Sequence, residues 1–146
     1  MSKRKRNDSE YRNSLRKNAK NKGMSTKSYL ASRWDSVGWN YAIEVIRRRC
    51  KRNNVECDIT AKDLKQLWEE QNGICSLTGW EMTKRKTQQG LTMTTVTVDR
   101  INQIKGYVIG NIRLVCFAAN NARYNWSDDE FIKLCQSIVT HVAVRP

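Results

Sequence analysis

Residues 92–99 (TMTTVTVD) are rich in β-branched side chains and alternate in character, which predicts a strand. Val96 and Val98 share one face; Thr95, Thr97 and Asp99 share the other, so the strand delivers Asp99 at its end, away from the valines. Residues 100–111 (RINQIKGYVIGN) hold two glycines and read as a loop with a turn of structure. Ile112–Val115 reads as a short return strand, and the series Ala118, Ala119, Ala122 suits a helix packed close to its neighbours.

Helical patterns bracket this pair of strands. Ala42, Val45, Ile46 and Cys50 follow helical spacing within residues 37–52. A second helix starts at Thr60-Ala61-Lys62-Asp63, a capping box with Asp in place of the usual Glu. Ile59 and Leu64 are its hydrophobic staple, and Asn72-Gly73 ends it. Leu64, Leu67 and Trp68 make its buried stripe. A last helix over 127–140 starts with the capping box Ser127–Glu130, with Trp126 and Phe131 as staple partners. Its apolar stripe is Phe131, Leu134, Cys135, Ile138 and Val142. Short strands between helices predict an α+β fold.

Charge separates the chain into regions. Lys and Arg number 27 against 14 Asp and Glu, a formal net charge of +13 over 146 residues. That balance makes a polyanion, nucleic acid above all, the default partner. Residues 1–27 carry nine Lys or Arg through Lys22 against Asp8 and Glu10, with only five apolar residues. They read as a basic, flexible arm, with a short helix around residues 9–20. Lys3, Arg4, Lys5 and Arg6 in the arm are candidate phosphate contacts. Residues 28–57 read as a basic helical region, in which Arg47, Arg48, Arg49, Lys51 and Arg52 form a second candidate patch. Cations suit a helix C-terminus through its dipole, but five in six residues exceed what capping requires. No stretch approaches the roughly 18 apolar residues of a membrane span, and no export signal stands at the N-terminus, which points to a cytoplasmic protein. Five cysteines without a CxxC pair argue for reduced thiols rather than a disulfide framework.

The chemistry concentrates in residues 95–123 (TVTVDRINQIKGYVIGNIRLVCFAANNAR). A carboxylate at a strand end, Asp99, faces an amide oxygen on a following helix, Asn120. Two hard oxygen donors on rigid elements suit Mg²⁺ or Mn²⁺. From spacing alone, a loop-capping Asp99 and an ordinary helix-surface Asn120 are the better reading.

The ordered series Cys75-x-x-Thr78-Gly79, Val98-Asp99-Arg100-Ile101, Lys105-Gly106-Tyr107, Gly110-Asn111-Ile112, Val115-Cys116, Asn120, Arg123 resembles the HNH, or ββα-metal (His-Me finger, endonuclease VII-like), endonucleases. It is most similar to the phage and bacterial variant that reads Asp-Arg-Ile, then Lys-Gly-Tyr and Gly-Asn. The resemblance covers about residues 58–140 and implies a small ββα-metal core over 58–146, braced by flanking helices. It implies a nuclease that hydrolyses DNA phosphodiester bonds with a divalent metal. By position, Asp99 and Asn120 match the metal ligands, and Asn111 matches the Asn that orders the loop. Asp99, Arg100, Asn111 and Asn120 are thus the candidate catalytic group, with Lys105 and Arg123 as further phosphate contacts.

Arg100 stands where the commonest form has its general-base His, and an arginine side chain cannot be a base at neutral pH. The single His, His141, lies past the last helix stripe. Three accounts stand: Arg100 binds a phosphate while metal-bound hydroxide attacks; Tyr107 or Lys105 relays the proton; or the core is degenerate and the protein only binds nucleic acid. A basic RNA-binding protein is a further alternative. The two CxxC pairs that hold zinc in many relatives lack a cysteine each, at Thr78 and Ala119, so no structural zinc is expected.

Overall fold

The computed structural model describes residues 8–26, 38–84 and 90–144. Lys3, Arg4, Lys5 and Arg6 lie outside the described residues. Helix α1 spans Asp8–Asn21 and α2 spans Trp39–Asn53. Strand β1 (Cys57–Asp58) leads into α3 (Ala61–Glu70). Then come β2 (Val96–Arg100), β3 (Tyr107–Val108), β4 (Ile112–Cys116), α4 (Phe117–Arg123) and α5 (Asp128–Ala143).

Strands β2 and β4 pair antiparallel, with Val96 opposite Cys116, Val98 opposite Leu114 and Asp99 opposite Arg113. Helix α4 follows β4 without a break and packs back on both strands, completing a ββα unit. Its first amides are taken by the loop before β2: Phe117 N–H donates to Thr95 O and Ala118 N–H to Met93 O. The strand predicted over 92–99 starts only at Val96. Ahead of it, Thr95 Oγ1 accepts from Thr92 N–H at 2.9 Å, so a local side-chain bond satisfies a backbone group that a ladder would otherwise use.

Part of the predicted loop 100–111 is strand. Residues Tyr107 and Val108 pair in parallel with Cys57 and Asp58, about fifty residues away, a contact with no local signature. Gly106 is required there because a Cβ would collide with the Glu56 backbone. The pairing draws α2 and the ββα unit together. Trp39, Ile43, Ile46 and Cys50 of α2 join Leu64, Cys75, Leu114, Val115 and Cys116 in one core.

The caps form as the sequence indicates. Thr60 Oγ1 accepts from Asp63 N–H while Asp63 Oδ2 accepts from Thr60 N–H at 2.7 Å; Ser127 and Glu130 repeat the arrangement on α5. Leu64 is fully buried, and such a side chain contributes about 1.5–3 kcal/mol. Helix α5 departs from expectation. Phe131 is half-buried, but Leu134, Cys135, Ile138 and Val142 are exposed, and no residue of α5 is buried. The helix is fastened to the domain at its first turn by Asp128, and beyond Phe131 its apolar stripe faces outward. No helix among the described residues is long and apolar enough to cross a membrane.

Candidate functional site

Thr97 and Asp99 are two apart on β2 and therefore share a face. Asn120 on α4 lies on that face: its Nδ2 donates to Thr97 Oγ1 at 2.9 Å, and Thr97 Oγ1 donates to Val115 O at 2.9 Å. That chain locks the Asn120 amide nitrogen toward the strand and leaves its carbonyl oxygen turned away from Thr97. The ββα unit thus brings the Asp99 carboxylate and the Asn120 amide to one side of one strand.

Asp99 is not open to solvent. It is 3% exposed, and both carboxylate oxygens are engaged. Arg113, its cross-strand partner, donates from Nε to Oδ2 at 2.9 Å; Arg123 donates from Nη1 to Oδ1 at 3.2 Å. The same two guanidiniums clasp Asp128. Arg113 spans both of its oxygens at 2.6 Å, and Arg123 Nε donates to Oδ1 at 2.7 Å. Two carboxylates and two guanidiniums form a closed ring of zero net charge. The Arg113 fork, followed by Arg123, holds the Asp128 carboxyl below its ordinary value of 3.8. Burial alone would lower the Arg113 pKa, but its bonds to Asp128 and Asp99 outweigh burial and raise it.

Arg123 also departs from expectation. Predicted as a phosphate contact, it is 1% exposed, and its remaining donors go inward to Arg100 O and Ile101 O. A guanidinium with four acceptors inside the fold is a strut, not a surface contact. Asn111 is likewise buried, and its side chain fastens the loop: Oδ1 accepts from Asn102 N–H at 2.9 Å, and Nδ2 donates to Asn102 O and to Gly106 O at 2.8 Å.

Arg100 points to the other side of β2. Its Nη1 donates to Lys105 O at 3.2 Å and its Nη2 to Gln103 Oε1 at 3.0 Å, and its guanidinium carbon lies 5.1 Å from the Tyr107 ring centroid. Gln103 Nε2 in turn reaches Asp99 Oδ1 at 3.4 Å, so one side chain links Arg100 to the ion network. Lys105 is exposed beside it. On α2, Arg47, Arg48, Arg49, Lys51 and Arg52 are all exposed, with Arg48 ion-paired to Glu44. His141 is exposed in the last turn of α5.

Cys75 and Cys116 are buried together: Cys116 N–H donates to Cys75 Sγ at 3.2 Å, and Thr78 Oγ1 lies 3.8 Å from Cys116 Sγ. Burial pushes the Cys75 thiol up, but the bonds from Thr78 and Cys116 prevail and bring it below its ordinary value.

Three participants escaped the sequence reading. Arg113 was legible in principle, because a hairpin pairing residues 96 and 116 sets it opposite Asp99. Asp128 carries the pattern of a first-turn acid on a helix N-terminus, which hides its second role. Gln103 has no sequence signal.

Among the described residues no three His, Cys, Asp or Glu side chains gather as a metal cage. The two side chains on this face of β2, the Asp99 carboxylate and the Asn120 amide, are of a type that fits a hard divalent cation. For Asp99 to serve, it must give up at least one of its two guanidinium partners.

No protein-family model and no curated protein matches the chain. Among solved structures it is similar to the rare-cutting HNH restriction endonuclease PacI. The TM-score is 0.50 at 20% sequence identity, over 70% of this chain and 78% of that one. A likeness at that identity shows the fold, a small HNH-like α+β architecture.

Proposed function

We propose that this protein is a metal-dependent endonuclease that hydrolyses phosphodiester bonds in DNA, double-stranded DNA in the first instance. The observation that carries the reading is the convergence of Asp99 and Asn120 on one face of β2 within an HNH-like ββα unit. In this reading Asp99 and the Asn120 oxygen hold Mg²⁺ or Mn²⁺. The ion supplies a Lewis acid for the phosphate and the leaving oxygen when bound. The chain's own residues do the rest. Thr97 fixes the Asn120 rotamer. Asn111 shapes the loop after β2. Arg100, charged at any neutral pH and held by Lys105 O and Gln103, meets phosphate charge and does not take a proton. Lys105 and the α2 cations add backbone contacts that strengthen binding at low salt. A phage or mobile-element setting, and with it the host cytoplasm, belongs to the same proposal.

A second reading has its own observation. Asp99 is spent on Arg113 and Arg123, as expected of a structural carboxylate in a core that binds nucleic acid without cutting it. Supercoiled plasmid incubated with the protein and Mg²⁺ or Mn²⁺ separates the two. Nicking that EDTA and Asn120→Ala abolish supports the nuclease. Intact plasmid at protein concentrations that bind it supports the binding protein, and nicking unchanged in Asn120→Ala refutes the Asp99–Asn120 site as its source.

A further inference from the structure

The five cations of the α2 run do not face the same way. The buried stripe of α2 is Trp39, Ile43, Ile46 and Cys50. At 100° per residue, Arg48 and Arg52 point away from that stripe, Arg47 and Lys51 flank it on one side, and Arg49 with Asn53 flanks it on the other. Arg49 alone reaches the ββα unit: its Nη1 lies 3.4 Å from the Tyr107 hydroxyl, to which it donates.

Arg100 stacks over the ring of the same tyrosine, 5.1 Å from its centroid. Tyr107 is buried and held by the β1–β3 pairing, so it is a rigid post with a guanidinium at its face and another at its tip. The two arginines line one small open cleft with Cys50, Asn53, Val55 and Tyr107. Burial, and then the neighbouring Cys57, push the Cys50 thiol up to about 11, while the charges of Arg100 and Arg49 both work to lower it. Two positive charges therefore act at one spot.

No carboxylate among the described residues forms an ion pair with either of them. Of the acids near them, Asp99 and Asp128 are committed to the neutral ring and Glu44 to Arg48, while Glu56 and Asp58 beside β3 are exposed and pair with neither arginine. Two like charges held together without a counter-charge repel each other, and a bound anion reverses that cost. Each also keeps free donors. Arg100 uses one N–H from each terminal nitrogen, and Arg49 uses one in all, of the five that each guanidinium carries.

We propose that Arg49 and Arg100 form one seat for a single phosphodiester group, with Tyr107 as the post that spaces them. The seat joins the basic face of α2 to the HNH-like unit, so that a nucleic-acid strand crossing β2 continues onto α2. It deepens the nuclease reading and rests on it for the identity of the strand, but it requires no cleavage.

The test is metal-free binding of a labelled duplex in EDTA, measured across a salt series. The proteins are the wild type, Arg49→Gln, Arg100→Gln, the double variant, and Lys65→Gln as a cation removed from the outer face of α3. Thermal melts establish that each is folded. One shared phosphate predicts that the double variant binds about 10-fold more weakly and loses about 0.9 from the slope of log K against log salt, the value of one neutralised phosphate. Each single variant loses less than that, because the remaining arginine still neutralises the group. Lys65→Gln keeps the wild-type slope. A loss of about 1.8 in the double variant means two separate phosphates and overturns the proposal. An unchanged slope in the double variant overturns it as well. If the wild type binds but never nicks plasmid with Mg²⁺, the nuclease reading fails and the seat is judged on the slopes alone. If it binds no duplex, both fail.

Discussion

Replacing Arg123 with methionine removes a charge from the least exposed point of the ion network and keeps most of the side chain's length. At 1% exposure the guanidinium makes four contacts: Asp128 Oδ1 at 2.7 Å, Asp99 Oδ1 at 3.2 Å, Ile101 O at 2.8 Å and Arg100 O at 3.3 Å. Asp128 can rehydrate, since its side chain is 34% exposed, and it keeps the Arg113 fork. Asp99 cannot rehydrate at 2% side-chain exposure and is left with one cationic partner. Breaking a buried pair by removing one member costs about 3–5 kcal/mol, mostly from the charge left behind. The orphaned carbonyls overlap with that figure rather than add to it, so the expected loss is about 4 kcal/mol. Against a total of about 5–15 kcal/mol this is severe, and it lowers Tm by roughly 8–16 °C at about 2–4 °C per kcal/mol. Urea unfolding measures it as a shift in midpoint at constant slope. Asp99→Asn placed in the Arg123→Met background neutralises the stranded charge. It recovers about 1 kcal/mol or more, a coupling within the range of contacting residues. A loss below about 1 kcal/mol for Arg123→Met, or a double variant additive within about 0.5 kcal/mol, would refute the view of Arg123 as the buried strut of the site.

The same ring makes stability depend on pH. The Asp128 carboxyl is depressed in the folded state, so the stability it contributes is full above its unfolded value of 3.8 and is lost as pH falls through the lower folded value. Asp128→Asn therefore has a lower Tm than wild type at pH 7 and a flatter Tm profile as pH is lowered toward about 2.5. The two apolar stripes should behave oppositely. Leu64→Ala costs about 2–5 kcal/mol in chemical unfolding, whereas Ile138→Ser on the exposed face of α5 changes the midpoint by no more than about 0.5 kcal/mol. Gly106→Ala drives a methyl into the Glu56 backbone and costs about 1–3 kcal/mol, with exchange of the Tyr107 amide, which donates to Glu56 O, accelerated more than that of β4.

Local chemistry wrote much of this fold into the sequence. The capping boxes at Thr60 and Ser127, the alternation through Val96 and Val98 and the close-packing alanines of α4 each act within a few residues, so they can be read without knowing what lies opposite. Asp99 at a strand end, Asn111 in the loop and Asn120 on the next helix are legible for the same reason: one short ββα unit holds all three. The charge runs are legible as runs, but not their directions.

What the sequence could not state is which charges meet. Arg123 has the composition of a phosphate contact, yet the packing of α4 on β2 and β4, with Asp128 at the first turn of α5, turns it inward, where two carboxylates and two carbonyls outbid solvent for its donors. Arg49 is one of five similar cations until the β1–β3 pairing brings Tyr107 beneath it. Helix α5 carries a periodic apolar stripe, but periodicity records only that a face is apolar, not that the fold supplies a partner for it. Sequence alone determined the longer elements and the candidate residues of the ββα unit. Tertiary structure alone decided which charges are neutralised inside and which face outward, because burial and long-range pairing are properties of the closed chain.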